Sequence, residues 1–318
     1  MENKIYDILV SVIIVSYNNF HLLKNCLESL YNYTACISFE VIIIDNNSTE
    51  GDVETIVNCF PRITLIKNNS NRGFAAANNQ GIAVARGKYI LFLNNDTIFF
   101  ENSIKKVFDF ADTNESPVII GCKLLNKDSS LQLSVYDFPS LRNVITSNFF
   151  LYLLFPKSNY FNKYHLMNRK ISNVTEVDVV TGAFLFGTKE FLNKIGGFDE
   201  RFFFYNEETD LCLRFKKLGG KIYYFPESAI IHLKGGTAND NFEQRYKNEH
   251  YSTIKYYQRH FSGGKFLFII ISHYLGMIIR VPIFLFWGIF KKDKILIFKS
   301  LSNFKNMFLY PKNIFRKK

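Results

Sequence analysis

Val10-Ser11-Val12-Ile13-Ile14-Val15-Ser16-Tyr17-Asn18 opens as a nearly unbroken β-branched run and then turns polar. Branching at Cβ favours extended backbone, so Val10–Val15 reads as a buried strand. Beyond it, Phe20–Tyr31 carries Leu23, Leu27 and Leu30 at helical spacing. The same alternation continues along the chain: strand Phe39–Ile44, short helix Val53–Phe60, strand Ile63–Ile66, Ala-rich helix Phe74–Ala85, strand Tyr89–Leu93. This rhythm predicts an α/β fold with a mainly parallel sheet covered by helices on both faces.

In such an open sheet, ligands collect beyond the carboxyl ends of the strands. Three of those ends read Ser16-Tyr17-Asn18, Asp45-Asn46-Asn47-Ser48 and Asn94-Asn95-Asp96. Asn, Asp and Ser are good turn formers, which accounts for any one loop. Three such loops along one edge point to a binding site. Farther along, Val118–Leu125 and Val177–Phe186 read as strands, with an aromatic-rich segment without clear period at Leu141–Lys170. Glu207–Leu218 reads as a helix closed by Gly219-Gly220. Short strands Lys221–Phe225 and Ala229–Leu233 lead to His232-Leu233-Lys234-Gly235-Gly236-Thr237.

The 318 residues are 47% hydrophobic and 21% charged, ordinary for a globular chain with a real core. The net charge of +11 is uneven: Lys291 to Lys318 hold nine Lys or Arg against the single acid Asp293, leaving the rest close to neutral. A basic tail beside an apolar stretch favours anionic lipid as its partner. No nucleic-acid motif accompanies the charge, so nucleic acid is not expected. The five cysteines are scattered and never spaced CxxC, as expected of reduced thiols in the cytosol. Glu2 and Asp7 stand where a signal peptide would be basic, so none is expected.

Chemistry concentrates in Gly196-Gly197-Phe198-Asp199-Glu200-Arg201-Phe202-Phe203-Phe204-Tyr205-Asn206-Glu207-Glu208-Thr209-Asp210-Leu211. A carboxylate held beside aromatic walls has its ionised form destabilised, which raises its proton affinity toward the range of a general base. The competing account is a helix start: Asn206 as N-cap, with acids favoured by the dipole. Arg214, four residues after Asp210, makes that acid an ion-pair candidate. Asp96 is a candidate ligand for a divalent cation. With one carboxylate, such a site draws its other ligands from His232, water and a diphosphate. His232, at a strand end, reads equally as structural or as a ligand. Arg72, in Asn71-Arg72-Gly73-Phe74, is placed to reach a phosphate or base, and Gly73 permits close backbone approach.

In order along the chain, Val12–Asn18, Ile43–Ser48, Asn71–Ala75 with Asn79, Leu93–Asp96, Thr181-Gly182-Ala183 and Gly197-Phe198-Asp199-Glu200 through Leu211 resemble the family-2 glycosyltransferases. The similarity covers roughly residues 8–236 and is greatest to the rhamnosyltransferase-like branch that builds bacterial surface polysaccharide. It implies a GT-A (Rossmann-like) fold and inverting transfer from a nucleotide-sugar, dTDP-rhamnose or a UDP-sugar, to a glycan or lipid-linked acceptor. Carried over, Ser16, Tyr17 and Asp45 hold the nucleobase and Asn95 the ribose. Asp96, with His232, holds Mg²⁺ or Mn²⁺ against the diphosphate. Glu208 stands where the family has the Asp that deprotonates the acceptor, with Glu207 in reserve. Two departures, Asn for Asp in the metal motif and Glu for Asp at the base, keep an alternative open: a catalytically inactive sugar-nucleotide-binding or scaffold protein. A processive synthase is disfavoured by the missing Gln-x-x-Arg-Trp, and a nucleotidyltransferase by the missing Gly-rich loop after the first strand.

Phe266–Phe290 is long enough to span a bilayer but contains His273, Arg280 and Pro282. Basic residues flank it on both sides, Arg259, His260 and Lys265 before and the tail after, and a single crossing would put one set outside. A helical hairpin or interfacial helices on the cytoplasmic leaflet is the expected arrangement. The division expected is 1–238, catalytic, and 239–318, a membrane-associating helical extension with a basic tail.

Overall fold

The computed structural model describes residues 6–51, 53–158, 160–162, 171–233 and 242–309. The expected Lys234–Thr237 turn, residues 163–170 of the aromatic-rich segment and the last nine residues of the basic tail lie outside these. The strands are β1 (Val10–Ser16), β2 (Phe39–Asp45), β3 (Ile63–Lys67), β4 (Tyr89–Asn94), β5 (Thr97–Ile98) and β6 (Val118–Leu125). They continue as β7 (Leu131–Gln132), β8 (Val135–Tyr136), β9 (Thr175–Glu176), β10 (Val179–Val180), β11 (Phe184–Thr188) and β12 (Lys221–His232).

The main sheet runs β3-β2-β1-β4-β11-β6-β12-β5. β3, β2, β1 and β4 are mutually parallel, β11 is antiparallel to both neighbours, and β12 is parallel to β6. The strand order reverses at β1, with β2 and β3 on one side and β4 on the other. That reversal opens a crevice beyond the carboxyl ends of β1 and β4.

Alternation along β1 explains the two helical layers. Val12 and Ile14 join Leu23, Leu27 and Leu30 of the Phe20–Tyr33 helix in one buried cluster. Ile13 faces the other way, toward the Gly73–Val84 helix, so closely that a Cβ on Gly81 would lie 2.6 Å from its Cγ2. Both faces are therefore apolar, which is why the strand reads as a continuous hydrophobic run rather than an alternating one.

Two expected elements differ. Val177–Phe186 is not one strand: β10 pairs with β8 in a separate ribbon, while β11 enters the main sheet. Between them Thr181 donates its N–H to the Ser134 carbonyl at 3.0 Å. Conversely, Lys221–Phe225 and Ala229–Leu233 belong to a single strand with an irregularity between Phe225 and Ala229. Pro226 lies there and lacks an N–H for the ladder, so the strand bulges instead of ending.

The chain forms two compact units. The first takes described residues of Met1–Asp137, Met167–Phe203 and Glu207–Asn239, and holds the sheet. The second takes those of Phe138–Leu166, Phe204–Asn206 and Asp240–Lys318, and is helical. In the second, the Gly263–Phe290 and Lys294–Leu309 helices form a hairpin in which Ser300 donates to the Val281 carbonyl at 2.7 Å. Its interior is polar in places: Arg280 donates to the Ser147 carbonyl at 3.0 Å and Asn148 Nδ2 to Ser272 Oγ at 3.2 Å.

Candidate active site

Register brings the expected loops together. Ser16 is the β-partner of Asp45, and Val15 that of Asn94, so the chain leaves β1, β2 and β4 at one level. The Asn46 N–H donates to the Ser16 carbonyl at 2.8 Å. Asp45 is 4% exposed and accepts from the Ser48 hydroxyl and, at 3.3 Å, the Ser48 N–H. Asn18 N–H donates to Ser48 Oγ at 2.8 Å, and Asn18 Oδ1 accepts from the Thr49 N–H at 2.8 Å. Asn18, Asn19 and Asn47 have φ of 57°, 58° and 66°, a left-handed conformation that asparagine tolerates. Turn formation and site construction thus use the same residues. Ser16 Oγ is buried and has no partner, and Tyr17 is half-buried.

The next loop is tied to this edge. Asn46 Nδ2 donates to the Gly73 carbonyl at 3.2 Å, and Asn46 Oδ1 accepts from Asn68 Nδ2 at 2.9 Å. Arg72 is exposed, its Nη2 3.9 Å from Glu200 Oε2. Gly73 has φ +81°, and a Cβ there would meet the Phe203 carbonyl oxygen at 2.5 Å. The Phe74 N–H donates to that same oxygen at 2.8 Å. Phe203, four residues before Glu207, is therefore seated on the Arg72-Gly73 turn. Asn79 fixes the chain upstream, donating to the Phe198 carbonyl at 2.9 Å and accepting from its N–H at 2.8 Å.

Asp96 and His232 meet because β5 runs antiparallel to the end of β12: Thr97 pairs with His232, and the Leu233 N–H donates to the Asp96 carbonyl at 2.9 Å. Asp96 Oδ1 lies 3.2 Å from His232 Nε2, which is also 3.2 Å from Asn94 Nδ2. Asp96 is 6% exposed and Asn95 beside it is also buried. One carboxylate oxygen and one imidazole nitrogen form a pair that fits Mg²⁺ or Mn²⁺ completed by phosphate and water. Among the described residues no cluster of three or more His, Cys, Asp or Glu converges.

Glu207 and Glu208 open the Glu207–Lys217 helix. Burial raises both carboxyls above the usual range, and for Glu207 the neighbouring Glu208 charge adds to it. Each keeps one buried oxygen, Oε2, with no hydrogen-bond partner. Tyr136 lies within reach of this charge, its hydroxyl pushed up to about 12 by burial and then by Glu208. Asp210 is otherwise engaged: fully buried, it accepts from Arg214 Nε at 2.7 Å. Arg214 also donates to the Ile195 and Gly197 carbonyls at 2.8 Å each, clamping the helix to the glycine loop. The N-cap expectation for Asn206 gives way: its φ is +63° and its Nδ2 donates to Thr253 Oγ1 at 3.3 Å.

Ser16, Asp45 and Asn95 thus lie at the ends of β1, β2 and β4, and Asp96 pairs with His232 where β5 meets β12. The Arg72 N–H donates to Asn46 Oδ1 at 3.4 Å, and Phe203, four residues before Glu207, rests on the Arg72-Gly73 turn. Asn46 and Gln132 were not singled out from sequence. Gln132 Oε1 lies 2.6 Å from His232 Nδ1. The turn-forming Asn126-Lys127-Asp128-Ser129-Ser130 was the available signal for the hairpin that carries it.

The Glycosyl transferase family 2 model matches residues 11–175. Rhamnosyltransferase WbbL of Escherichia coli K12 is 27% identical over 259 residues, covering 79% of this chain and 93% of that protein. The Mycobacterium tuberculosis N-acetylglucosaminyl-diphospho-decaprenol L-rhamnosyltransferase is 25% identical over 270 residues, covering 80% and 86%. Among solved structures, GalNAc-T7 with UDP, GalNAc and Mn²⁺ superposes with a TM-score of 0.54 at 14% identity, over 79% of this chain and 51% of that one. S. aureus TarS 1–349 gives 0.52 at 15% identity, over 96% and 82%. At such identities the two structures speak for the fold alone, a GT-A arrangement of mixed α/β type. With the family match spanning just over half of the residues and two rhamnosyltransferases aligned along most of their length, the chain belongs to glycosyl transferase family 2 and is rhamnosyltransferase-like.

Proposed function

We propose that this glycosyltransferase is an inverting enzyme that moves a sugar from dTDP-rhamnose or a UDP-sugar to a glycan or lipid-linked acceptor, in surface polysaccharide synthesis at the cytoplasmic face of the membrane. The names of the two rhamnosyltransferase relatives support the donor and acceptor classes. One observation carries the catalytic reading: among the described residues, the buried carboxylate oxygens without a hydrogen-bond partner belong to two adjacent side chains, Glu207 and Glu208. A buried unpaired acceptor costs about 1–3 kcal/mol, so its retention needs a reason, and an incoming hydroxyl proton supplies one.

In this reading Ser16, Tyr17 and Asp45 hold the nucleobase, Asn95 the ribose and Arg72 the phosphates. Asp96 and His232 hold Mg²⁺ or Mn²⁺, which when bound neutralises charge on the departing diphosphate. Glu208 accepts the acceptor's hydroxyl proton as that oxygen bonds to the anomeric carbon. The bond from that carbon to the phosphate oxygen breaks on the opposite face, and its electron pair leaves with the nucleoside diphosphate. Glu207 is the reserve base. Burial raises the proton affinity of both carboxyls, so the pair holds protons to higher pH than exposed acids do.

Glu208→Gln keeps the shape and removes the base. The expected result is loss of turnover by at least 100-fold with donor affinity, read by calorimetry, within about twofold. Near-normal transfer by this variant would remove Glu208 from the mechanism.

The helical unit supports the membrane assignment. The Gly263–Phe290 helix is long and apolar enough to cross a bilayer, yet it is paired in a hairpin and turns Arg280 and His273 inward. Leu267, Phe268, Ile271, Phe286 and Phe290 remain exposed. That amphipathic division suits helices lying in a leaflet surface.

A further inference from the structure

Resting on the reading of Asp96 and His232 as metal ligands, a chain of hydrogen bonds outside that pair assigns the proton on the histidine. Asp128 is the fixed end. Its carboxyl is held below its usual range by the Ser130 hydroxyl and N–H, so it is ionised and only accepts. Ser130 Oγ–H therefore donates to Asp128 Oδ1, at 2.5 Å. Having spent its proton there, Ser130 Oγ accepts from Asn126 Nδ2 at 2.9 Å, which turns Asn126 Oδ1 toward Gln132. Gln132 Nε2 donates to that oxygen at 2.8 Å and to the His232 carbonyl at 3.0 Å. Both amide protons of Gln132 are thereby engaged, and the group 2.6 Å from His232 Nδ1 is its oxygen. Nδ1 must be the donor of that bond. In the neutral ring Nε2 then carries a lone pair, which faces the Asn94 Nδ2 donor at 3.2 Å and lies 3.2 Å from Asp96 Oδ1.

We propose that Gln132 is a positioning residue: the hairpin between β6 and β7 holds His232 in the Nδ1–H form, presenting its Nε2 lone pair beside Asp96 as a ligand for a divalent cation. A partner on the far nitrogen is the usual means by which a ligating histidine is oriented. Here it is a neutral amide whose own orientation is fixed by an anion three bonds farther out.

The test is a long-range proton–nitrogen correlation spectrum of the full-length, metal-free protein labelled with ¹⁵N-histidine. The His232 signal is assigned by its loss in His232→Asn. The wild type is expected to show the Nδ1–H form. Gln132→Met, similar in length but without an acceptor, is expected to shift His232 toward Nε2–H. It should also weaken Mn²⁺ binding in the presence of UDP by about 10–100-fold, read from the electron paramagnetic resonance of free Mn²⁺. In a His232→Asn background, Gln132→Met should add no further loss. An Nε2–H signal in the wild type, or an unchanged tautomer in Gln132→Met, overturns the proposal without need of any metal. If the tautomer behaves as stated and the wild type binds no Mn²⁺, the metal reading fails and the tautomer lock stands.

Discussion

Gly73→Ala strikes the contact between the Arg72-Gly73 loop and the segment bearing the proposed base, and the structure sets its cost. The backbone there has φ +81°, where an L side chain costs about 1–2 kcal/mol relative to glycine. The new Cβ would lie 2.5 Å from the Phe203 carbonyl oxygen and 2.7 Å from its Cδ2, so Phe203 must move. Moving it breaks the 2.8 Å bond from the Phe74 N–H, another ~0.5–1.5 kcal/mol net. The sum is about 1.5–3.5 kcal/mol. Gly219→Ala provides the control: φ is +89° and nothing lies within 4 Å of its Cβ, so it carries the backbone cost alone. Urea midpoints of both variants, at equal slope, isolate the contact as their difference, expected near 1 kcal/mol. Turnover gives the second readout. Phe203 lies four residues before Glu207, and a misplacement of about 1 Å near a reacting group costs up to ~100-fold. Gly73→Ala should therefore lose kcat at least tenfold under conditions where it is folded, while Gly219→Ala keeps it. Equal midpoints for the two variants together with wild-type kcat for Gly73→Ala would refute the linkage.

Further outcomes follow from other parts of the molecule. Burial makes the folded chain hold the Glu207 proton more tightly than the unfolded chain, whose carboxyl has the ordinary value of about 4.5. Above that pH the folded state binds more protons, so stability falls as pH rises, by up to about 1.4 kcal/mol per unit, until the folded carboxyl ionises. Glu207→Gln should thus melt higher than wild type at pH 8 and nearly equal to it at pH 4; a gain of the same size at both values contradicts the burial argument. Arg214→Met leaves Asp210 charged and fully buried without its 2.7 Å partner, and should cost about 3–5 kcal/mol in denaturant, with Asp210→Asn partly restoring it. Carbonate washing of membranes should release the full-length protein if its helices lie on the leaflet; resistance would favour integration.

The half of the fold around β1 was legible because buried parallel strands write themselves as apolar runs, and their polar ends fall where ligands bind. The carboxylates proposed for catalysis were legible for a different reason, the density of aromatic residues beside them. What sequence did not carry was long-range pairing of short pieces. β5 has two residues and β7 two, too few for periodicity, yet they deliver Asp96 and Gln132 to His232. The break in Val177–Phe186 was equally invisible. Both halves are apolar, and only the choice of partner, β8 for one and β4 for the other, separates them.

The carboxylates of this site divide by how their oxygens are satisfied, and the division follows the work proposed for each. Asp45 takes two donors from Ser48, and Asp210 takes a guanidinium. A group whose oxygens are filled from within can hold a shape or face a fixed donor, but it has no place ready for a travelling proton. Glu207 and Glu208 do the opposite at a cost in stability: each is desolvated and leaves an oxygen unpaired, with a like charge adjacent. Helix formation alone does not demand this, since acids at exposed first-turn positions gain from the dipole and keep water on both oxygens. The cost makes sense where an incoming hydroxyl completes the hydrogen bonding and hands over its proton in the same event. The unpaired oxygens therefore argue for catalysis more strongly than the acidity of the segment does.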